Sequence, residues 1–266
     1  VGKCSLTVAL PIISACGITC DVLPTALLST HTGGFEGYTF RDLSEDIPSI
    51  LAHWKKLGLS FDFIYSGYLG NISQIDTVLS VKKNFLAPHG KFVVDPVMGD
   101  GGKLYAHFNF HFVEKMRSLC SEADFILPNV TEACLLAGEN YPQNGEALPA
   151  EKIVQKLSSL HTCPIVTGVE EGEENAVYYM KENRVLRHAE KNAAGFFHGA
   201  GDVFAAAFTG CLDRGKTLDE AICLSADFTT SSIFRTAAAN GDRRYGLEFE
   251  AEIFPFLEKL NGKIRK

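Results

Sequence analysis

The stretch FFHGAGDVFAAAF, residues 196–208, sets one carboxylate behind a glycine-rich turn and ahead of an apolar run with helical spacing. The start of a helix leaves backbone N–H groups unpaired and carries the positive end of the helix dipole, so it favours anions. Gly199 and Gly201 would let a ligand approach the backbone closely. Two interpretations follow: Asp202 is a general base beside an anion site made by the N–H groups of Ala200, Gly201 and Asp202 itself, or it is only a stabilising helix N-terminal residue.

Further oxygen-bearing side chains follow two other apolar runs. Asp95 ends the run KFVVDPV and Asp100 lies in the glycine-rich segment behind it, where a plain turn is an equal alternative. Asn129 and Glu132 follow the run DFILPN, and on their own they favour an Asn cap with an acidic first turn. Because oxygen ligands with retained water suit Mg²⁺ beside nucleotide phosphates, the three segments taken together indicate phosphoryl transfer.

The elements that must position these residues alternate between strands and helices. Short apolar runs rich in β-branched and aromatic residues predict the strands ITCDVLP, FDFIYSG, KFVVDPV, DFILPN and CPIVTG. Segments with helical periodicity predict helices at 71–85, 109–121, 130–138, 149–160, 200–213 and 217–236, after the first glycine turn, and in SEDIPSILAHWKKLG from Ser44 onward. The order predicts an α/β fold with a mainly parallel sheet and helices on both faces.

The segments ENAVYYMK and NRVLRHAE break this alternation and predict a small antiparallel hairpin at the sheet edge. No repeat or Pro/Ser-rich linker divides the chain, so residues 1–266 are expected to form one domain. Ligands of open sheets of this kind bind beyond the carboxyl ends of the strands, which is where the polar residues above follow their apolar runs.

Composition excludes several other classes of protein. Of the 266 residues 46% are hydrophobic and 21% charged, which is ordinary for a folded domain and not for a disordered chain. The net charge of −7, without a Lys/Arg-rich block, disfavours nucleic-acid and membrane surfaces. Eight scattered cysteines without zinc spacing, no membrane-length apolar run and no signal segment predict a cytoplasmic protein with reduced thiols.

Six ordered motifs make the chain resemble the pyridoxal kinases of the ribokinase-like superfamily. They are GKCSLT, LPTALLSTHTGGF, YSGYLG, VVDPVMGDGGKLY, LPNVTEA and FHGAGDVFAA, and they span nearly the whole chain. The DPVMGD and G-x-G-D segments are shared with hydroxymethylpyrimidine kinases, whereas STHTGG and YSGYLG indicate pyridoxal. The resemblance implies a ribokinase-like three-layer sandwich in which ATP phosphorylates the primary alcohol of pyridoxal, pyridoxine or pyridoxamine.

The resemblance also implies roles for individual residues. Asp202 would accept the alcohol proton, and Gly199, Ala200 and Gly201 would stabilise the transferring phosphoryl group. Three residues would border the vitamer: Thr32, Tyr68 and Val1. The nucleotide side would comprise Asp95, Asp100, Asn129, Thr167 and Phe204, with Asp100 and Glu132 also on the Mg²⁺ side. Tyr68 as core filler and Thr167 as a strand-end cap remain alternatives, and the histidines His31, His107 and His198 receive no role.

Two features depart from the family pattern. Ala200 stands where the family usually has Thr, which removes a hydroxyl but keeps the backbone N–H, so reduced activity is expected. The family's first strand has no counterpart ahead of Val1, so one strand and part of the substrate pocket are expected to be missing. The resemblance implies ATP, Mg²⁺ and a homodimer, and it leaves a need for a monovalent cation such as K⁺ open. A hydroxymethylpyrimidine kinase, or a degenerate kinase that binds pyridoxal phosphate or nucleotide without turnover, are the alternative functions.

Overall fold

The computed structural model describes residues 1–143, 146–193, 195–239 and 241–262. The helices are α1 (Leu6–Ala15), α2 (Ile47–Leu57), α3 (Ile72–Phe85), α4 (Phe110–Cys120), α5 (Val130–Ala137), α6 (Ala150–Ser158), α7 (Ala200–Asp213), α8 (Leu218–Ala238) and α9 (Ile253–Leu260). The strands are β1 (Ala26–Leu28), β2 (Phe40–Asp42), β3 (Phe61–Ser66), β4 (Leu86–Val94), β5 (Gly99–Asp100), β6 (Lys103–Leu104), β7 (Phe125–Ile126), β8 (Cys163–Glu171), β9 (Glu174–Lys181) and β10 (Arg184–Lys191). No helix in these described ranges is long and apolar enough to cross a membrane.

The central sheet has the strand order β10–β9–β8–β7–β4–β3. The four strands β3, β4, β7 and β8 pair in parallel, and β9 and β10 continue the sheet as an antiparallel hairpin. The pairs β1–β2 and β5–β6 form two small antiparallel sheets of their own. The prediction of a mainly parallel sheet with an antiparallel hairpin at its edge is therefore confirmed.

Helices cover both faces of this sheet and enclose two cores. One core lies against α1, α7, α8 and α9, and the other lies against α3, α4, α5 and α6. Along β4, Val93 enters the first core while Phe92 and Val94 enter the second, and all three are fully buried. Because successive strand residues point to opposite faces, burial on both faces explains why this run is continuously apolar.

The packing of α1 against α7 brings two distant parts of the chain together. A side chain at Gly210 in α7 would place its Cβ only 2.7 Å from the Cys16 Sγ at the end of α1. Glycine is therefore the residue that allows the two helices to approach this closely. Ser5 is the N-cap of α1 and ends the turn that precedes this helix. The contact between the two helices places this turn beside the first turn of α7.

Two local predictions were wrong. The segment ITCDVLP is not a strand, since pairing begins only at Ala26; Ile18 and Cys20 pack at the margin of the first core, so their apolar character reflects burial and not pairing. Helix α2 begins after Asp46 and not at Ser44, because the Ser44 N–H and hydroxyl both donate to the Asp42 carboxylate in the preceding turn. The strand predicted as CPIVTG continues to the end of β8.

Candidate functional site

A cleft of about 1780 Å³ opens where the parallel strands end. Its walls include the segments that follow β3, β4 and β7, the middle of β8 and the first turn of α7. All of the residues predicted for the site line this one cleft: Val1, Thr32, Tyr68, Asp95, Asp100, Asn129, Glu132, Thr167, Gly199, Ala200, Gly201, Asp202 and Phe204. Their individual roles stay predictions.

The turn ahead of α7 requires glycine at its first position. Gly199 is the N-cap and has a φ of +80°, which side chains rarely adopt. An added Cβ would also lie 2.5 Å from the backbone oxygen of Lys3. The N–H groups of Ala200, Gly201 and Asp202 are the first-turn donors that a helix leaves without an intrahelical partner, so the turn presents an anion site.

Asp202 is positioned by the turn that precedes α1. The backbone N–H of Ser5 donates to the Asp202 carboxylate, and Ser5 holds a φ of 52°, which is uncommon for a residue other than glycine. Burial raises the pKa of Asp202 to about 6, against the opposing effect of the Ser5 hydrogen bond. Asp202 is therefore ionised near neutral pH yet more basic than an exposed aspartate, which suits a general base.

Asp95 and Glu132 add two more buried carboxylates, exposed by only 6% and 2%. Asp95 directly follows β4, and its N–H donates to the backbone oxygen of Ser66 over 2.8 Å at the end of β3. Burial, and then the charges of Glu132 and Asp202, hold the pKa of Asp95 well above its ordinary value. The three carboxylates thus act on one another electrostatically.

Asn129 and Glu132 form a capping box at the start of α5. The Asn129 side chain accepts from the Glu132 N–H over 2.9 Å, and the Glu132 Oε2 accepts from the Asn129 N–H over 3.0 Å. The other carboxylate oxygen accepts from the Met98 N–H over 3.0 Å, and the Asn129 amide donates to Gly99. Asn129 and Glu132 therefore cap helix α5, as the purely structural interpretation of the sequence predicts. A role toward nucleotide or metal would be additional to this capping.

Asp100 lies at the end of the short strand β5. Its carboxylate accepts from the neighbouring Gly101 N–H over 2.7 Å. Burial raises the pKa of Asp100, and both the Gly101 hydrogen bond and the charge of His198 act in the opposite direction. A carboxylate in a half-buried loop beside the other three fits the nucleotide or metal side of a site.

Thr167 and Phe204 are less directly placed for a ligand. Thr167 lies within β8 and not at its end, where an irregularity of register lets it form a parallel bridge with Asn129. Phe204 is 4% exposed and its ring lies parallel to that of Phe208 with centroids 6.2 Å apart, so it is first a core residue. Contacts from either residue to a nucleotide stay predictions.

The opposite side of the cleft is formed by loops. Thr32 is exposed in the loop that joins β1 to β2, and the half-buried Tyr68 has its ring 6.1 Å from that of Phe108. The amino group of Val1 donates to the Ser29 backbone oxygen over 2.7 Å, which ties the first turn of the chain to the same loop.

Sequence reasoning missed two phenols beside the carboxylates. Burial and then Asp95 and Asp202 raise the pKa of Tyr65. Burial together with the charges of the nearby carboxylates likewise raises the pKa of Tyr105, so both phenols stay neutral donors. Both lie inside motifs already singled out, YSGYLG and DGGKLY, but only the fold shows that they face the charged groups.

The donor set limits how a metal could bind. Within the described residues, no group of three His, Cys, Asp or Glu side chains is arranged to hold a metal ion. Among the described residues that line the cleft, Lys191 is the single lysine or arginine. A polyphosphate would therefore meet mostly negative side chains. This fits Mg²⁺ held by one or two carboxylates, water and the phosphates themselves, and it does not fit a metal caged by protein alone.

Comparison with known proteins identifies similar chains. The family model for phosphomethylpyrimidine kinase matches residues 13–246. A candidate phosphomethylpyrimidine kinase of Bacteroides thetaiotaomicron, crystallised with pyridoxal, is 36% identical over 96% of this chain and 91% of its own, with a TM-score of 0.89. The pyridoxal kinase of Lactobacillus plantarum is 31% identical over 100% of this chain and 95% of its own, with a TM-score of 0.90. A pyridoxal kinase of Rubrobacter xylanophilus is 28% identical over 83% of this chain and 78% of its own.

The buried carboxylates predict an unusual dependence of stability on pH. Because the pKa of Asp202 is raised to about 6 in the folded state, the native protein binds its proton more tightly than the unfolded chain does. The free energy of unfolding should therefore fall by about 1–3 kcal/mol from this group as the pH rises from 4 to 7. Asp202→Asn should remove that part of the slope in urea unfolding followed by circular dichroism.

The parent and Asp202→Asn share all of their exposed acidic residues. The difference between their profiles of unfolding free energy against pH therefore isolates the contribution of Asp202. Asp76→Asn, on the exposed surface of α3, serves as the matched control and should leave the slope as it is. Parallel profiles for the parent and Asp202→Asn would contradict the assignment of a raised pKa to this group.

Proposed function

The chain belongs to the phosphomethylpyrimidine kinase family, and from this premise we propose that it transfers the γ-phosphoryl group of ATP to the 5′-hydroxymethyl group of pyridoxal, pyridoxine or pyridoxamine. The observation that carries the proposal is Asp202, a buried carboxylate of raised pKa at the start of α7, beside unpaired backbone donors. The enzyme class, a kinase, follows from the family.

The proposed reaction uses the chain's residues as follows. Asp202 accepts the proton of the acceptor alcohol as its oxygen attacks the γ-phosphorus, and the bond to the β-phosphate oxygen breaks to release ADP. The backbone donors of Gly199, Ala200 and Gly201 stabilise the charge on the transferring group. Gly199 leaves no room for a side chain, so a substitution there would disturb this turn.

The nucleotide side is proposed to hold Mg·ATP. Mg²⁺, when bound, supplies positive charge that neutralises the phosphates and the developing charge on the leaving group. Asp100 and Glu132 are the proposed carboxylates near it, with Asp95 on the same nucleotide side. Glu132 also accepts from the Met98 and Asn129 N–H groups and so fixes the segment before Asp100. Asn129, Thr167 and Phe204 are proposed at the nucleotide, and a monovalent cation such as K⁺ is an additional candidate for this cluster.

The acceptor is proposed to lie between Asp202 and the loops that carry Thr32, Tyr68 and Val1. Relatives named pyridoxal kinase, and a related structure that holds pyridoxal, support a B6 vitamer. The description of the family itself favours a second candidate, a hydroxymethylpyrimidine alcohol. Both are primary alcohols on a flat nitrogen heterocycle, so the same base and anion site would serve either.

Three further proposals concern the whole protein. Residues 1–266 form one kinase domain, although 144–145, 194, 240 and 263–266 lie outside the described residues. A cytoplasmic location is supported by the eight free cysteines.

The homodimer is proposed from the family resemblance. The exposed side chains of Leu27 on β1 and Phe40 on β2 offer apolar surface to a second copy. A monomer mass from light scattering of the purified protein would refute the homodimer.

Asp202→Asn should lower kcat for ATP-dependent phosphorylation of pyridoxal by about 10²–10⁴-fold, because the variant keeps the shape but cannot accept a proton. The parent should lose kcat/KM as the pH falls through about 6, the pKa of Asp202. Formation of pyridoxal phosphate is the measurement, with Asp76→Asn as the control for loss of one surface charge.

The same assay with a hydroxymethylpyrimidine decides the acceptor, and exclusive turnover of the pyrimidine would overturn the B6 assignment. If the parent binds pyridoxal but turns over neither alcohol, the chain is a binding protein and not a kinase. A parent that is active and an equally active Asp202→Asn would remove the base from the mechanism.

Ala200→Thr should raise kcat by about 2–10-fold, because a hydroxyl at the anion site adds one hydrogen bond to the transferring phosphoryl group. Ala200→Val has the same shape without the hydroxyl and is the matched control. The comparison is made on kcat at saturating ATP and alcohol, and equal rates for the Thr and Val variants would show that the hydroxyl contributes nothing here.

A further inference from the structure

The loop of residues 29–37 packs against the segment that leads into α7. The ring of His198, which directly precedes Gly199, lies 5.3 Å from that of His31 and 4.7 Å from that of Phe196. Neither histidine has a role in the proposed chemistry. Their contact joins the loop that carries Thr32 to the turn that carries Asp202.

Gly33 is the point at which the two segments touch. An added Cβ there would lie 2.6 Å from His198 Nδ1 and 2.7 Å from its Cε1, closer than real Cβ atoms come. The backbone of Gly33 is not in the left-handed region, so its own conformation does not exclude a side chain. A side chain at this position would therefore strike the imidazole of His198 and would also approach His31 Nδ1 to 3.3 Å.

Gly34, the next residue, is glycine for a different reason. Its φ is +80°, so a side chain would be strained whatever its surroundings. An added Cβ at Gly34 would keep an ordinary distance of 3.6 Å from His198 Nε2. A substitution at Gly33 therefore tests the contact with His198, whereas a substitution at Gly34 tests a requirement of the backbone conformation.

His31 fixes the loop from the other side. The Gly33 N–H donates to His31 Nδ1 over 3.1 Å, so Nδ1 carries no proton. His31 Nε2 lies 2.6 Å from the Arg244 backbone oxygen and must donate to it. These two hydrogen bonds hold the His31 ring between Gly33 and the Arg244 backbone, and the ring of His198 lies against it.

We propose that His198 is a positioning residue for the acceptor alcohol: its ring, seated on Gly33, sets the separation between the 29–37 loop and the Gly199–Asp202 turn. The acceptor lies between these two segments, so their separation fixes the distance from its hydroxyl group to Asp202. This inference rests on the proposed function for what the acceptor is, but the contact itself does not. His198 acts through the loop and touches no reacting atom.

The test is a double-mutant cycle with Gly33→Ala and His198→Ala. Gly33→Ala should raise KM for the acceptor at least about tenfold, since a displacement of the loop misplaces the alcohol. KM for ATP should stay within about twofold, because the added Cβ meets only His198 and His31, and neither is proposed to contact the nucleotide. In the His198→Ala background the same Gly33→Ala change should cost less than about threefold, since the ring that it would strike is gone.

Gly34→Ala is the matched control, made in both backgrounds. Its loss should persist after His198→Ala, because removal of a ring does not relieve a positive φ. Equal losses from Gly33→Ala in the two backgrounds would overturn the contact. If Gly33→Ala changed KM for the acceptor and KM for ATP equally, His198 would have a merely structural role. That result would overturn the proposal that His198 positions the acceptor.

A failure of the proposed function would be visible separately. If the parent phosphorylates neither a B6 vitamer nor a pyrimidine alcohol, the function is wrong, and thermal unfolding of the same variants still decides the contact. Gly33→Ala should then lower the unfolding midpoint, and His198→Ala should restore most of the loss. No restoration would overturn the contact as well.

Discussion

The burial of several carboxylates at one edge of the sheet is the constraint on which the rest of the structure depends. Asp95, Glu132 and Asp202 come from three separate elements, and burial raises the pKa of each. Removing charges from water and bringing like charges together both cost free energy. For Glu132 and Asp202, backbone N–H groups donate to the carboxylate oxygens and offset part of this cost.

The donor to Asp202, the Ser5 N–H, lies in a tightly packed turn around the peptide group of Lys3. The carbonyl oxygen of Lys3 would lie 2.5 Å from a Cβ at Gly199 and 2.6 Å from one at Gly246. The Lys3 N–H also donates to the Tyr245 backbone oxygen over 2.9 Å. The turn ahead of α1 thus packs between α7 and the segment before α9, and this packing places the Ser5 N–H at Asp202.

The sequence predicts the parts of the fold that depend on local pattern. Helix α7 spans the residues expected from its apolar spacing, 200–213, and β9 spans the expected ENAVYYMK. The proximity of Asp95 and Asn129 was also predictable, because the carboxyl ends of parallel strands share one edge of a sheet.

Contacts between distant segments were not predictable in this way. Ser5 meets Asp202 because α1 packs on α7, and Gly33 meets His198 across more than half of the chain. No periodicity encodes either contact. The segment ITCDVLP shows the same limit. Its apolar residues indicate burial, but whether a buried segment pairs as a strand depends on which backbone lies next to it.

In this cleft, the groups proposed for phosphoryl transfer and the groups proposed to select the acceptor are of different kinds. The proposed phosphoryl-transfer side uses backbone donors and carboxylates on rigid helix starts and strand ends, which recognise charge and not the shape of an acceptor. The proposed acceptor side uses loop residues such as Thr32 and Tyr68, whose positions follow from aromatic and glycine contacts. The family model and the relatives support a kinase, and on the proposal above it is the loops that would distinguish a pyridine from a pyrimidine alcohol.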